Sequence, residues 1–178
     1  MTIHEYGTEN EKKVLFIATA GLEPYWAFQK QADALGTNYH VYAVAADGHD
    51  GQPGDFISIE KTVSEMSAEL KRRGVTRLYA AYGLSMGGAI VVRFLATGDD
   101  AYLLSPILFD LTGFPPMDIF YGTDEVMIAY LPDMQAVCKK YGVQLNTHIG
   151  DGMMHCWGAM EFVPEAKAVR KEYFKALT

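Results

Sequence analysis

The chain is poor in cysteine: it has two, Cys138 and Cys156, and no C-x-x-C pair. A disulfide scaffold and a cysteine-rich zinc site are thereby excluded, and such sparse cysteine fits a reducing compartment. It contains no apolar run near the roughly 18 residues that a membrane span requires. Its opening residues, Met1-Thr2-Ile3-His4-Glu5, are polar and acidic rather than the start of a signal peptide, so a cytoplasmic location is expected. Positive charge is also scarce. Lys plus Arg number 15 against 22 for Asp plus Glu, a formal net charge of −7, which disfavours nucleic acid and anionic membranes as partners. No G-x-G-x-x-G follows the first buried strand, and neither a Walker lysine nor an H-x-x-x-H is present. No metal or cofactor is therefore expected. Repeats, low-complexity stretches and Pro/Gly/Ser-rich linkers are lacking too, so residues 1–178 read as one domain.

What is present is alternation. Residues 2–6 read as a short edge strand. Val14-Leu15-Phe16-Ile17-Ala18 is a continuous apolar run, as strands show when both faces are buried. A helix is expected over 25–36, a buried strand over Tyr39–Ala46, and then the loop Asp47-Gly48-His49-Asp50-Gly51. Residues 59–73 place Ile59, Val63, Met66 and Leu70 at spacings of three and four, an amphipathic helix that Gly74 stops. Further strands are expected at 78–82, 101–108, 117–121 and 143–149, and further helices at 86–97, 126–141 and 164–177. Such alternation implies a mostly parallel sheet with helices on both faces. Ligands in such sheets bind at the carboxyl ends of the strands.

One of those ends carries Gly83-Leu84-Ser85-Met86-Gly87, a G-x-S-x-G between an expected strand and an expected helix. The turn is so sharp that Ser85 should take strained backbone angles. Gly83 and Gly87, without Cβ atoms, let its two arms approach. The Ser85 hydroxyl then projects as a nucleophile. The Met86 N–H, at a helix N-terminus, can bind an oxyanion.

A serine nucleophile needs a base, and the chain has five histidines. His155 lies in Gly150-Asp151-Gly152-Met153-Met154-His155-Cys156-Trp157, just after the last strand. His148 falls inside that strand, and His4 and His40 lie near an edge and a strand start. His49 is on a carboxyl-end loop and stays open on position alone. His155 is the preferred base. The third member must be a carboxylate that orients the imidazole. Asp124, in Phe120-Tyr121-Gly122-Thr123-Asp124-Glu125, follows the penultimate strand, and Asp110 follows the one before. Asp124 is preferred over Asp110, and Glu125 is expected to begin the next helix. Met153, Met154, Trp157 and Met160 cluster about His155, either as core or as an exposed patch for a partner or a homodimer.

These motifs resemble those of the α/β-hydrolase family, over nearly the whole chain. The acid segment Phe114–Glu125 and the histidine segment Gly150–Trp157 are similar to those of acetyl esterases and hormone-sensitive-lipase-like members. The first half is similar to a bacterial hydrolase branch with a Gly-x-x-x-x-Trp loop, here Gly21 to Trp26. The resemblance implies an α/β-hydrolase fold and the order Ser85, Asp124, His155. It lowers the claim of His49, whose loop resembles a family turn. It also implies a second oxyanion donor, here the Leu22 N–H, beside that of Met86. Only about eight residues, Phe109 to Pro116, stand where members usually insert a helix or cap. A minimal form without a cap domain is expected. Its open site suits small-molecule esters of short acyl chains, cleaved through an acyl-enzyme on Ser85. The same triad supports thioester cleavage or acyl transfer, and a non-catalytic binding module is the other class of reading.

Overall fold

In the computed structural model, the structure describes residues 1–17, 35, 37–49, 51, 54–96, 110–160 and 163–177. The expected helix over 25–36 (Leu35, helical and buried, apart), the loop carrying Leu22 and the expected strand over 101–108 lie outside the described residues. The chain divides into two compact units, Met1–Phe94 and Leu95–Thr178.

The first unit is built on a four-stranded sheet. Its strands are β1 (Thr2–Tyr6), β2 (Lys13–Ile17), β3 (His40–Ala45) and β4 (Ala80–Gly83), in the order β1-β3-β2-β4. β2 pairs in parallel with β3 and β4, and β1 runs antiparallel along the edge of β3, with Thr2 opposite Ala45. Val14, Leu15, Ile17, Val41 and Val44 are fully buried, so the apolar runs read in the sequence are interior strands. β4 begins at Ala80 rather than Leu78. The preceding Tyr79 already donates its N–H to the Lys13 carbonyl at 2.7 Å, but it is half exposed.

Helix α1 (Ile59–Arg72) joins these strands. Ser58 caps it, its hydroxyl accepting from the Lys61 N–H at 3.1 Å. Ile59, Met66 and Leu70 are buried on one face, as their spacing requires. Glu60 in the first turn and Lys71 and Arg72 in the last complement the helix dipole. Helix α2 (Met86–Leu95) leaves β4 through the two residues Leu84 and Ser85, and buries Ile90, Val91 and Val92.

In the second unit, β5 (Met117–Gly122) and β6 (Leu145–Gly150) pair in parallel, Gly122 opposite Gly150. From Asp110 to Met117 the chain runs through a turn without a helix. The helix expected over 126–141 is two pieces. A 3-10 turn covers Val126–Tyr130 and α3 covers Leu131–Tyr141. Pro132 explains the break: it lacks an N–H and clashes with a helix entering from upstream, but suits a first turn. α3 ends at Gly142, where the Val143 N–H closes onto the Cys138 carbonyl at 2.8 Å. A second 3-10 turn, Trp157–Ala159, precedes α4 (Pro164–Leu177). Arg170 of α4 donates to the Met160 carbonyl at 3.1 Å and so ties α4 to that turn. Among the described residues no helix is long and apolar enough to cross a membrane.

Candidate active site

Ser85 stands in the turn between β4 and α2 with φ of 53°, a left-handed conformation that a non-glycine residue rarely holds. The turn is locked on both sides. The Gly87 N–H donates to the Leu84 carbonyl at 2.8 Å, and the Gly88 N–H to the Ser85 carbonyl at 2.9 Å. The Leu84 N–H anchors it to the Ile17 carbonyl of β2 at 3.2 Å. A Cβ on Gly83 would overlap the Gly87 carbonyl, so the first glycine of the motif is required by close approach of the two arms. Ser85 is exposed. Met86 is the first residue of α2, and its N–H therefore has no acceptor within the helix. Leu22 lies outside the described residues.

The second unit assembles a histidine and a carboxylate. His155 Nδ1 faces Glu125 Oε2 in a short hydrogen bond. The Glu125 side chain is 3% exposed and that of His155 48%. Glu125 also accepts from the Gly122 N–H at 2.8 Å. A buried carboxylate is costly without such partners, and these two supply them. With the proton on Nδ1, the basic position of the ring is Nε2.

Asp124 is placed differently from the sequence expectation. It is exposed, and its carboxylate accepts from the Thr123 hydroxyl at 3.3 Å, while the carboxylate against His155 is that of its neighbour. Nor does Glu125 begin a helix. Its backbone is extended, with φ of −129° and ψ of 152°, and the 3-10 turn starts after it. That extension carries the longer Glu side chain back under Gly122 and to His155. Asp110 lies in a turn of its own, where hydrogen bonds from the Thr112 side chain and from the Thr112 N–H, the latter at 2.8 Å, hold its carboxyl below the usual range.

The loops bearing Glu125 and His155 are fastened backbone to backbone. The Asp124 N–H donates to the Met153 carbonyl at 3.0 Å, and the Thr123 N–H to the Gly150 carbonyl at 3.0 Å. The Gly152 N–H donates to Thr123 Oγ1 at 2.7 Å. A Cβ on Gly122 would overlap the Met153 carbonyl, so the crossing exists only with glycine there. At Gly150 an added Cβ would stand 2.6 Å from both the Met153 side chain and the Trp157 ring. Trp157 is buried at 3% exposure and Met154 is 54% exposed, so the apolar cluster about His155 is part core and part surface. Cys156, with φ of 62°, turns the chain between His155 and the second 3-10 turn.

The remaining histidines serve other contacts. His148 stacks on Phe120 at 4.1 Å and bonds Asp118 at 2.9 Å. His40 is buried and bonds Glu5 at 2.6 Å, and the His49 ring lies 5.6 Å from that of Phe56. His4 is held in β1 opposite Ala43.

No protein-family model matches the chain, and no curated protein does. Solved structures do. An α/β-hydrolase family protein from Desulfitobacterium hafniense superposes with a TM-score of 0.77 at 15% identity, over 99% of this chain and 100% of that one. Thermogutta terrifontis esterase 2, in a form phosphorylated by paraoxon, gives 0.76 at 13% identity, over 97% of this chain and 85% of that one. An esterase/lipase from an uncultured bacterium gives 0.68 at 19% identity, over 93% and 75%. The chain has the α/β-hydrolase fold.

Proposed function

We propose that the protein is a serine hydrolase of short-chain carboxylic esters. Ser85 attacks the ester carbonyl, and His155 Nε2 takes its proton. The oxyanion is held by the Met86 N–H and by that of Leu22. The alkoxide departs with the proton from His155, leaving an acyl group on Ser85. Water, activated by the same histidine, then releases the acid. In this reading Glu125 takes the orienting role that the sequence suggested for Asp124.

The observation that carries the reading is the buried Glu125 carboxylate on His155 Nδ1, in a chain whose Ser85 holds a strained nucleophile turn. A histidine fixed by a buried carboxylate is the form a general base requires. A merely structural histidine has no need of a glycine crossing to place it. The fold supports the reading, since its solved relatives include proteins described as esterases. The short run from Asp110 to Met117, without a helix, supports small acyl groups, because it supplies little surface to clasp a long chain.

Hydrolysis of p-nitrophenyl acetate by the wild type beside Ser85→Ala tests it. Turnover by the wild type that is lost in a folded Ser85→Ala is expected. Absence of turnover, or turnover that survives the substitution, would overturn it. Along a series of acyl lengths, kcat/KM should be highest at two to four carbons, about the shortest available.

A further inference from the structure

This inference rests on the assignment of His155 and Glu125 given above. A general base works only as well as it is aimed, and the aim of His155 is set by how the two loops are held together. Glu125 is anchored on its own loop by the Gly122 N–H at 2.8 Å. His155 lies on the other loop, so the pair stays closed only while the loops keep their register. Two of the bonds across the junction run main chain to main chain, from the Thr123 N–H to Gly150 and from the Asp124 N–H to Met153, each at 3.0 Å. A third, shorter one runs from the Gly152 N–H to Thr123 Oγ1 at 2.7 Å.

That third bond depends on a side chain, and the side chain suits it. The Thr123 oxygen accepts from Gly152, while its own proton has Asp124 Oδ1 at 3.3 Å and Asp151 Oδ1 at 3.5 Å as acceptors. A hydroxyl accepts and donates through one atom, which an apolar side chain of the same shape cannot do. The β-branch of threonine restricts rotation about χ1 and so fixes where that oxygen stands. Packing does not seat Gly152. It takes φ of 65°, and among the described residues nothing beyond its chain neighbours stands within 4 Å of where its Cβ would be. Thr123 and Gly152 are both exposed, so water can replace either partner if the bond is lost, and the fold keeps its stability. Water would not keep the register.

We propose that Thr123 is a positioning residue of the site: its hydroxyl holds the His155 loop in register with the Glu125 loop and so keeps the imidazole on its carboxylate. In this role Thr123 acts through His155 rather than on the substrate. Its loss lowers the rate of proton transfer and leaves ester binding in place.

The test compares Thr123→Val, which keeps the shape without the hydroxyl, with Thr123→Ser, which keeps the hydroxyl. On p-nitrophenyl acetate, Thr123→Val should lower kcat about ten- to hundredfold with KM within about twofold. Thr123→Ser should stay within about threefold of wild type. Urea midpoints of both should match wild type. A readout without turnover comes from 15N in the histidine rings, with the His155 signals assigned by their absence from His155→Asn. In alkaline buffer the wild-type ring should carry its proton on Nδ1, and Thr123→Val should mix the two tautomers while Thr123→Ser does not. Thr123→Val with wild-type kcat or an unmixed Nδ1 tautomer would overturn the proposal, as would Thr123→Ser as impaired as Thr123→Val. A fall in kcat matched by a fall in the urea midpoint would make Thr123 a structural residue only, and would overturn it too. Absence of Ser85-dependent turnover in the wild type would overturn the hydrolase reading instead, and the tautomer in Thr123→Val would still decide whether its hydroxyl holds the pair.

Discussion

Glu125 holds the Gly122 N–H and the His155 ring on one carboxylate that water scarcely reaches. Its neighbour Asp124 faces solvent and the Thr123 hydroxyl. The two residues therefore separate cleanly by substitution. Glu125→Gln should lower kcat/KM for p-nitrophenyl acetate on the order of 10³-fold, because the imidazole loses the anion that fixes its tautomer and steadies its charged form. Asp124→Asn should stay within about threefold, the range of a screened surface charge. Steady-state kinetics on folded variants checks both, and a reversal would return the orienting role to Asp124. The candidate serine and histidine stand out in the sequence because each lies in a glycine-framed motif at a strand end. The carboxylate on His155 is that of Glu125, one residue beyond the Asp124 that the sequence favoured. Glu125 was expected to begin the following helix, whereas its backbone is extended and its tertiary partner is His155.

At the scale of elements, the crossing of the loops after β5 and β6 sets the pair. Gly122→Ala would drive a methyl into the Met153 carbonyl, and the histidine loop would have to move. A loss of about 1–3 kcal/mol in urea unfolding is expected, together with loss of activity. Wild-type stability in that variant would show that the loops are not fastened there. At the C-terminal end of α1, Glu69 accepts from Arg72 at 2.6 and 2.7 Å and from Arg73 at 2.7 Å, and Arg73 also pairs with Glu5 of β1. The Arg72 and Arg73 hydrogen bonds hold the Glu69 carboxyl down to about 2. A carboxyl lowered by folding contributes stability above its unfolded value, near 4.5, and that contribution is lost as pH falls toward 2. Thermal midpoints of Glu69→Gln should thus lie slightly below wild type at neutral pH and converge with it between pH 4.5 and 2. A constant gap across that range would contradict the assignment. The described elements were largely legible, because continuous apolar runs and spacings of three and four report burial directly. The break before α3 was not, although Pro132 was in view, since apolar spacing runs through it unchanged.

At the scale of the whole molecule, the nucleophile turn belongs to the first unit and the histidine–carboxylate pair to the second. The strand–helix alternation pointed to a mostly parallel sheet with helices on both faces and the resemblance of the motifs to the α/β-hydrolase fold, and solved structures share that fold over nearly the full length. The joint action of Ser85 and His155 is the central claim, and it is a claim about coupling. A double-mutant cycle measures coupling directly. Initial rates of p-nitrophenyl acetate hydrolysis would be taken for wild type, Ser85→Ala, His155→Ala and the double variant. Residues that act as one catalytic unit give losses that do not add. Each single substitution should cost on the order of 10³-fold or more, and the double variant should be no slower than the poorer single one. Losses that multiply, or a His155→Ala variant as fast as wild type, would show that the two residues do not share a reaction.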